Sequence, residues 1–314
     1  MQRLLHAIFP SQASNMAPKV DNIYFALLAL CGTVAILIFL VAAFFCIRYR
    51  RGTKVDRTLL KGSPIPLEIT WTAIPLFIFI AIFFWAAEVF FGMSRPPADA
   101  TEIYVVGKQW MWKIQHPDGR REINELHLPV GQPVKLIMTS QDVIHDFFVP
   151  GFRTKQDVVP GRYTTEWFTP TQPGRYHIFC SQYCGTNHAL MVGTVYVQEP
   201  AEQARWLAQQ PAPDSLVSIG ERAFRTRGCS GCHAPNAAIR APLLDGIYGK
   251  RVPLSDSTLV TANEQYLRDS ILLPNKQISA GYQPIMPTFQ GQISEEELNA
   301  IIAYLKSLGE KEAP

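Results

Sequence analysis

An excess of charge of either sign is missing from this chain: 29 Lys and Arg face 26 Asp and Glu, a net of +3 over 314 residues. No basic stripe with interleaved aromatics follows Arg95, so a nucleic-acid-binding surface is excluded. Long apolar runs are absent beyond residue 95, where polar and apolar residues alternate as in a soluble protein. Cysteine is scarce, six in all, and after His233 there is no further histidine and a single methionine, Met286. At this length two or three domains are expected.

What the first 95 residues do contain is two apolar runs. Residues 23–47 carry no charge and residues 69–91 carry only Glu88. About 20 apolar residues suffice to cross a bilayer core as a helix, so both runs are predicted to span; buried helices of a soluble protein rarely stay uncharged for so long. Pro75, one turn inside the second run, is tolerated in a membrane helix. Between the runs lie Arg48, Arg50, Arg51, Lys54, Arg57 and Lys61 against Asp56. The positive-inside rule makes that loop cytoplasmic and puts both termini outside. Residues 1–20 have a basic residue and a short apolar stretch in the manner of a signal peptide, broken by His6 and Pro10, and their processing is left open.

Orientation governs how the cysteines are read. Cys31 and Cys46 fall in the first span and read as small apolar helix residues. The other four lie outside, where a disulfide is the ordinary fate of a cysteine pair, and that reading stays open for Cys180 and Cys184. Their company points to metal instead: His188 and Met191 follow at short spacing, and His145 stands upstream. Residues 103–106, 134–139, 163–168, 175–179 and 192–197 are rich in β-branched and aromatic residues and are separated by Pro/Gly turns, which predicts a small β-sandwich. Loops gather at the ends of such a sandwich, so these side chains can meet at one pole. Thiolates, imidazoles and a thioether select copper over magnesium or calcium, and two thiolates four residues apart can bridge two copper ions.

The pattern Cys180-x-x-x-Cys184-x-x-x-His188-x-x-Met191, with His145, Val149-Pro150 and Lys155-x-Asp157-x-x-Pro160-Gly-Arg162, resembles the copper A domain of cytochrome c oxidase subunit II. The resemblance implies that Cys180 and Cys184 bridge the two ions and that His145 and His188 bind one each. It gives Met191 as a weak axial ligand on one ion and the backbone carbonyl of Gln182 as a ligand on the other. The family often has glutamate at the position of Gln182, where the side chain helps to hold magnesium against the catalytic subunit; the glutamine keeps the carbonyl and puts the magnesium ligand in doubt. Gly107-Lys-Gln-Trp110-Met-Trp112 resembles the family's aromatic segment, in which the first tryptophan receives electrons from cytochrome c. Packing of a strand core is the competing reading, and the favoured one for Trp112. Glu68, at the start of the second span, matches the family's acid at the mouth of a proton channel, or is a solvated helix N-terminal acid.

After Val197 the composition shifts to Gln, Ala and Pro, which reads as a linker. Cys229-Ser-Gly-Cys232-His233 is the pattern of covalent haem c attachment, two thiols for the vinyl groups and an imidazole for the iron. A bare redox Cys-x-x-Cys does not require the histidine, and no βαβ pattern surrounds this one. By elimination Met286 is the distal ligand, and Met/His ligation raises the haem potential. A helix over 218–227 leads into the motif. Ser294 to Glu297 is a capping box, followed by an apolar stripe of Leu298, Ile301, Ile302, Leu305 and Leu308 that, with Tyr304, is predicted to pack on Gly220 and Phe224. The last hundred residues resemble class I cytochrome c, in which the counterpart of Pro242 orients the axial imidazole.

These pieces give a multidomain chain: residues 1–20 an N-terminal segment, 21–95 a two-helix transmembrane hairpin, 96–199 an all-β cupredoxin-like copper A sandwich, 200–214 a linker, and 215–314 an all-α class I cytochrome c domain. The order resembles subunit II of a caa-type haem-copper oxidase. That resemblance implies a binuclear copper A centre and covalent haem c as cofactors. As partners it implies oxidase subunit I and subunit III, with cytochrome c or a quinol:cytochrome c reductase as donor. The chain would sit in the bacterial plasma membrane with its C-terminal domains on the outer face. A tethered haem domain would meet the copper domain at an effective concentration on the order of millimolar. A quinol oxidase subunit would lack the copper cysteines. The other readings are a copper A nitric oxide reductase subunit and a stand-alone membrane-anchored carrier, the latter disfavoured by Glu68 and by the second span.

Overall fold

The structure, a computed structural model, describes residues 9–55, 65–209, 214–234, 237 and 241–310. The chain divides into two compact units, residues 15–95 and the remainder.

The first unit is a pair of helices, α1 (Ala17–Arg48) and α2 (Ile65–Ser94). Each is long enough to cross a ~30 Å hydrocarbon core. Their apolar side chains are not folded against protein: Phe39 is 71% exposed and Phe77 69%. A helix buried in a soluble core would hide those rings, so the exposure removes that alternative. Pro75 lies inside α2, and Glu68 stands in its first turn. The basic loop is described as far as residue 55; Arg57 and Lys61 lie outside the described residues.

In the second unit two five-stranded sheets stack. One has the order β3-β2-β1-β5-β8 and the other β4-β10-β9-β6-β7. The strands are β1 (Thr101–Lys108), β2 (Met111–Gln115), β3 (Arg121–Ile123), β4 (Glu125–Pro129), β5 (Val134–Ser140), β6 (His145–Val149), β7 (Thr154–Val158), β8 (Thr164–Phe168), β9 (Gly174–Cys180) and β10 (Val192–Gln198). Ile103, Val105, Leu136 and Met138 fill the space between the sheets with Phe147, Val195 and Phe168. The alternate residues Tyr104 and Ile137 are also buried, on the other face, against Leu216 and Ala300 of the C-terminal domain. Burial on both faces explains why β1 and β5 read as unbroken apolar runs where a half-exposed strand would alternate. One carboxyl shares the inward face: Glu166 in β8, whose burial, helped by the nearby Asp146 charge, pushes it up to about 8.

The N-terminal segment is not a separate piece. Ala13 is fully buried; its N–H donates to the Gly151 carbonyl at 2.9 Å and its carbonyl accepts from Thr171 at 2.9 Å. Ser14 Oγ donates to the Phe152 carbonyl at 2.7 Å. Residues 9–14 are thus laced into the sandwich. The expected linker is likewise structured at its start, as α3 (Pro200–Gln209).

Helices α4 (Leu216–Thr226), α5 (Ser230–His233), α6 (Glu264–Leu272) and α7 (Glu295–Glu310) build the C-terminal domain, with a small hairpin of β11 (Arg251–Pro253) and β12 (Leu259–Thr261). Helices α4 and α7 cross where predicted: Phe224 and Tyr304 meet with ring centroids 5.5 Å apart. At Gly220 the backbones are so close that a Cβ would lie 1.9 Å from the Ala300 oxygen. The capping box is half made. Ser294 Oγ accepts from the Glu297 N–H at 3.2 Å, while the Glu297 carboxylate grips Arg227 with two bonds of 2.8 Å.

This domain is docked on the sandwich. Lys113 pairs with Glu296 at 2.8 Å, and Tyr163 Oη donates to Asn299 Oδ1 at 2.5 Å. Lys306 reaches Glu102, and Glu264 at 2.9 Å, while Lys135 lies 3.0 Å from Glu102. The domain beyond the expected linker is thus seated on the sandwich through a fitted interface.

Two outcomes test the packing. Gly220→Ala forces the helices apart, an overpacking cost of ~1–3 kcal/mol or more, and lowers the thermal midpoint of the C-terminal domain by about 5 °C or more in calorimetry. A buried carboxyl with a raised pKa binds more protons folded than unfolded, so stability falls as pH climbs from 4.5 through about 8. Glu166→Gln flattens that decline in denaturant titrations run across the range.

Candidate metal centre and haem pocket

Strand β6 runs antiparallel to β9 with Phe147 opposite Cys180. That register puts His145, two residues before Phe147, at the same pole as the loop that leaves β9. The loop closes through a short 3-10 turn, His188–Leu190, into β10, and the Cys180 N–H donates to the Met191 carbonyl at 3.2 Å. Both ends of the loop are therefore tied together, and its side chains converge.

The two sulfurs, Cys180 Sγ and Cys184 Sγ, are 3.7 Å apart. A disulfide needs about 2.05 Å, and both cysteines are free thiols. Around them lie His145 Nδ1, 3.9 Å from Cys180 Sγ, and His188 Nδ1, 3.4 Å from Cys184 Sγ. Met191 Sδ is 3.9 Å from Cys184 Sγ, and the Gln182 carbonyl oxygen is 3.2 Å from Cys180 Sγ. All six atoms expected to be ligands are brought together. The donor set fits two bridged copper ions: two soft sulfurs in the middle, one imidazole beside each, and a thioether and a carbonyl at the flanks. Burial raises the Cys180 thiol, but bonds with His145, Asp146 and Gln182 outweigh it and bring it to about 7. Cys184 is pushed up to about 12 by burial and by its neighbour Cys180.

A residue that sequence reading missed supports this ring. Asp142 Oδ1 lies 2.8 Å from His145 Nε2, leaving Nδ1 to face the sulfurs, the carboxylate–histidine arrangement of metal sites. Asp142 Oδ2 accepts from the Gln109 N–H at 2.7 Å, and Gln109 Nε2 donates to the Cys184 carbonyl at 2.8 Å. Burial works against the Asp142 charge, yet these bonds hold its carboxyl below the usual carboxylate range. Its spacing, Asp-Val-Ile-His, was the available signal. Gly107 is needed because a Cβ there would lie 2.9 Å from the His145 ring.

Trp110 is half-buried and rests on the copper loop: a Cβ on Gly185 would meet its ring at 3.3 Å. Trp112 is fully buried, edge-on to His145 at 5.9 Å and to Phe147 at 5.0 Å between centroids. It is a core residue, as expected, though one that touches a ligand.

In the C-terminal domain Cys229, Cys232 and His233 line a cavity of about 400 Å³ together with Pro242, Tyr266 and Met286. Its walls are mainly apolar, as a porphyrin requires, with two free thiols at one side. His233 Nδ1 lies 2.8 Å from the Pro242 carbonyl, which fixes the ring and leaves Nε2 for iron. Pro242 thus holds the imidazole, through its carbonyl oxygen.

Comparison with known proteins agrees with this geometry piece by piece. Residues 3–89 match the family described as cytochrome c oxidase subunit II, transmembrane domain, residues 120–198 its periplasmic domain, and residues 217–309 cytochrome c. Cytochrome c oxidase subunit 2 of Thermostichus vulcanus is 32% identical over 263 residues, spanning 66% of this chain and 80% of that protein. The chain belongs to the cytochrome c oxidase subunit II family. The subunit 2 of Synechocystis sp. is also 32% identical, over 68% of this chain and 79% of its own length. That of Alkalihalophilus pseudofirmus is 28% identical over 92% of this chain and 86% of its own. As a subunit II it is part of a haem-copper oxidase complex with a subunit I partner. The helical pair is its membrane anchor, the later domains lie on the outer face, and a cytochrome c domain is fused at the C-terminal side. The family implies copper A, and the fused domain implies haem c.

Asp142→Ala removes the acceptor behind His145. Copper affinity falls by about 10–100-fold, the usual cost of losing such a partner, as measured by competition against a chelator of known affinity.

Proposed function

We propose that this subunit is the electron intake of a caa-type cytochrome c oxidase. It receives electrons at its own cytochrome c domain and delivers them, by way of its copper domain, to the oxygen-reducing site of subunit I. The supporting observation is that every expected copper-binding atom lies 3.2–3.9 Å from a cysteine sulfur, on the same chain as a Cys-x-x-Cys-His cavity.

In this reading Cys180 and Cys184 bridge two copper ions, His145 and His188 bind one each, and Met191 and the Gln182 carbonyl are the weak ligands. Cys229 and Cys232 attach the porphyrin, His233 and Met286 bind its iron, and Pro242 orients His233. When bound, both groups supply one-electron redox capacity. The chain's own residues keep them rigid: Asp142 fixes His145, the tied loop fixes the sulfurs, and little reorganisation is left to accompany a change of charge. Trp110, lying on the loop between Cys180 and Met191, is the electron entrance of the copper domain, and Glu68 on the first turn of α2 stands at the mouth of a proton channel of subunit I. The donor is a cytochrome c or a quinol:cytochrome c reductase, and subunit III is a further partner. The domain boundaries are 21–95, 96–199 and 215–314, with 200–214 between the last two. Residues 1–20 are an N-terminal segment, and Gln182 leaves the carbonyl ligand without a magnesium-binding carboxylate.

Electron paramagnetic resonance of the purified complex tests the copper assignment. One unpaired electron shared by two equivalent copper nuclei is expected, and Cys184→Ser collapses that pattern. A single-copper spectrum from the intact protein, or a peptide carrying Cys229 and Cys232 with no added haem mass, would falsify the assignment.

A further inference from the structure

Besides the copper pole, the described residues hold one other knot of imidazoles and carboxylates with ligand atoms close together. Glu122, Glu125 and His127 offer atoms that all lie within 4.8 Å of one another. His116, just past β2, backs it from outside the group: Glu122 Oε1 lies 2.6 Å from His116 Nε2, and Glu122 Oε2 lies 2.5 Å from His127 Nδ1. The His127 N–H also donates to Glu122 Oε1 at 3.2 Å, and Glu125 Oε1 accepts from Tyr196 Oη at 3.3 Å. Both imidazoles are buried, and Glu125 is exposed and opens the group to solvent. None of these four side chains has a part in the proposed electron path.

We propose that Glu122, Glu125 and His127 form a second metal site, with His116 holding Glu122 in place, for a divalent ion of the zinc class. One imidazole and two carboxylates, with a fourth position open to water beside the exposed Glu125, suit zinc; magnesium and calcium prefer oxygen alone, and the absence of a thiolate disfavours copper(I). Around a tetrahedral ion with bonds of ~2.0–2.2 Å the ligand atoms stand roughly 3.4 Å apart. The ligand atoms of Glu122, Glu125 and His127 already lie within 4.8 Å of one another, so shifts of about 1.4 Å at most reach that spacing. The His127 ring cannot turn away: it is stacked between Tyr196, at 4.4 Å and 7°, and Trp206, at 4.3 Å and 14°. Burial opposes a charge on Glu122, but its bonds with the two histidines prevail and hold it ionised down to about 2. A ready anion between two fixed imidazoles is what a divalent cation needs. Trp206 belongs to α3, so an ion that fixes His127 also stiffens the connection to the cytochrome c domain.

The test uses the full-length purified subunit with copper and haem in place, dialysed against zinc sulfate, with bound zinc counted by elemental mass spectrometry. One zinc per chain is expected, lost in Glu122→Gln and unchanged in Cys180→Ser. Because Glu122 also holds the two histidines, Glu125→Gln is the second variant: its side chain is exposed, so the fold survives, and zinc affinity drops by at least the ~10-fold that loss of an outer partner costs. Failure of the parent to bind zinc, or binding that neither glutamine variant weakens, overturns the site.

Discussion

The pairing of β6 with β9 is the constraint on which the copper pole rests. A strand alternates its faces with a period of two, so a slip of one residue would turn His145 away from the sulfurs and send Phe147 out of the core. What prevents the slip is the burial of Phe147 and Val149 between the sheets. The same apolar contacts that stabilise the sandwich therefore set the position of His145. The closure of the loop through the Cys180 and Met191 backbones fixes the other half.

The interface with the cytochrome c domain is a second level of the same economy of placement. Isolated surface ion pairs contribute about 0–1 kcal/mol. Here Lys135 and Lys306 face Glu102 and Glu264 with all four side chains at 31% exposure or less, and the set carries no net charge. Such a lattice adds orientation more than strength; the apolar patch of Tyr104, Ile137, Leu216 and Ala300 supplies the cohesion. The outcome is a domain held in one pose rather than one swinging on a polar leash.

Much of this was legible in the residues. The spans, five of the sandwich strands, the grouping of the candidate copper donors at one pole and the Cys-x-x-Cys-His motif follow from spacing and residue type, because thiols, imidazoles and uncharged runs are rarely neutral choices. Strands β2, β3, β4, β6 and β7 were not read, since short strands such as Arg121–Ile123 lack alternation long enough to stand out. Asp142 was missed because a lone acid in a turn looks like any solvated turn residue until the ring it holds is in view. The helix α3 was read as linker because Gln, Ala and Pro hide the one residue that anchors it, Trp206. Docking was invisible for another reason: the charges that make it lie as far apart in the chain as Glu102 and Lys306.

The double burial of β1 and β5 carries a consequence for anyone who would shorten the chain. Excising the segment after residue 214 would not return a simpler soluble copper protein, because it would strip the cover from Tyr104 and Ile137 and present a greasy plateau to water. A version without that cover would need hydrophilic replacements at those two positions to stay monodisperse. The outward side of these strands thus records, in its side chains, that the sandwich did not evolve to stand alone.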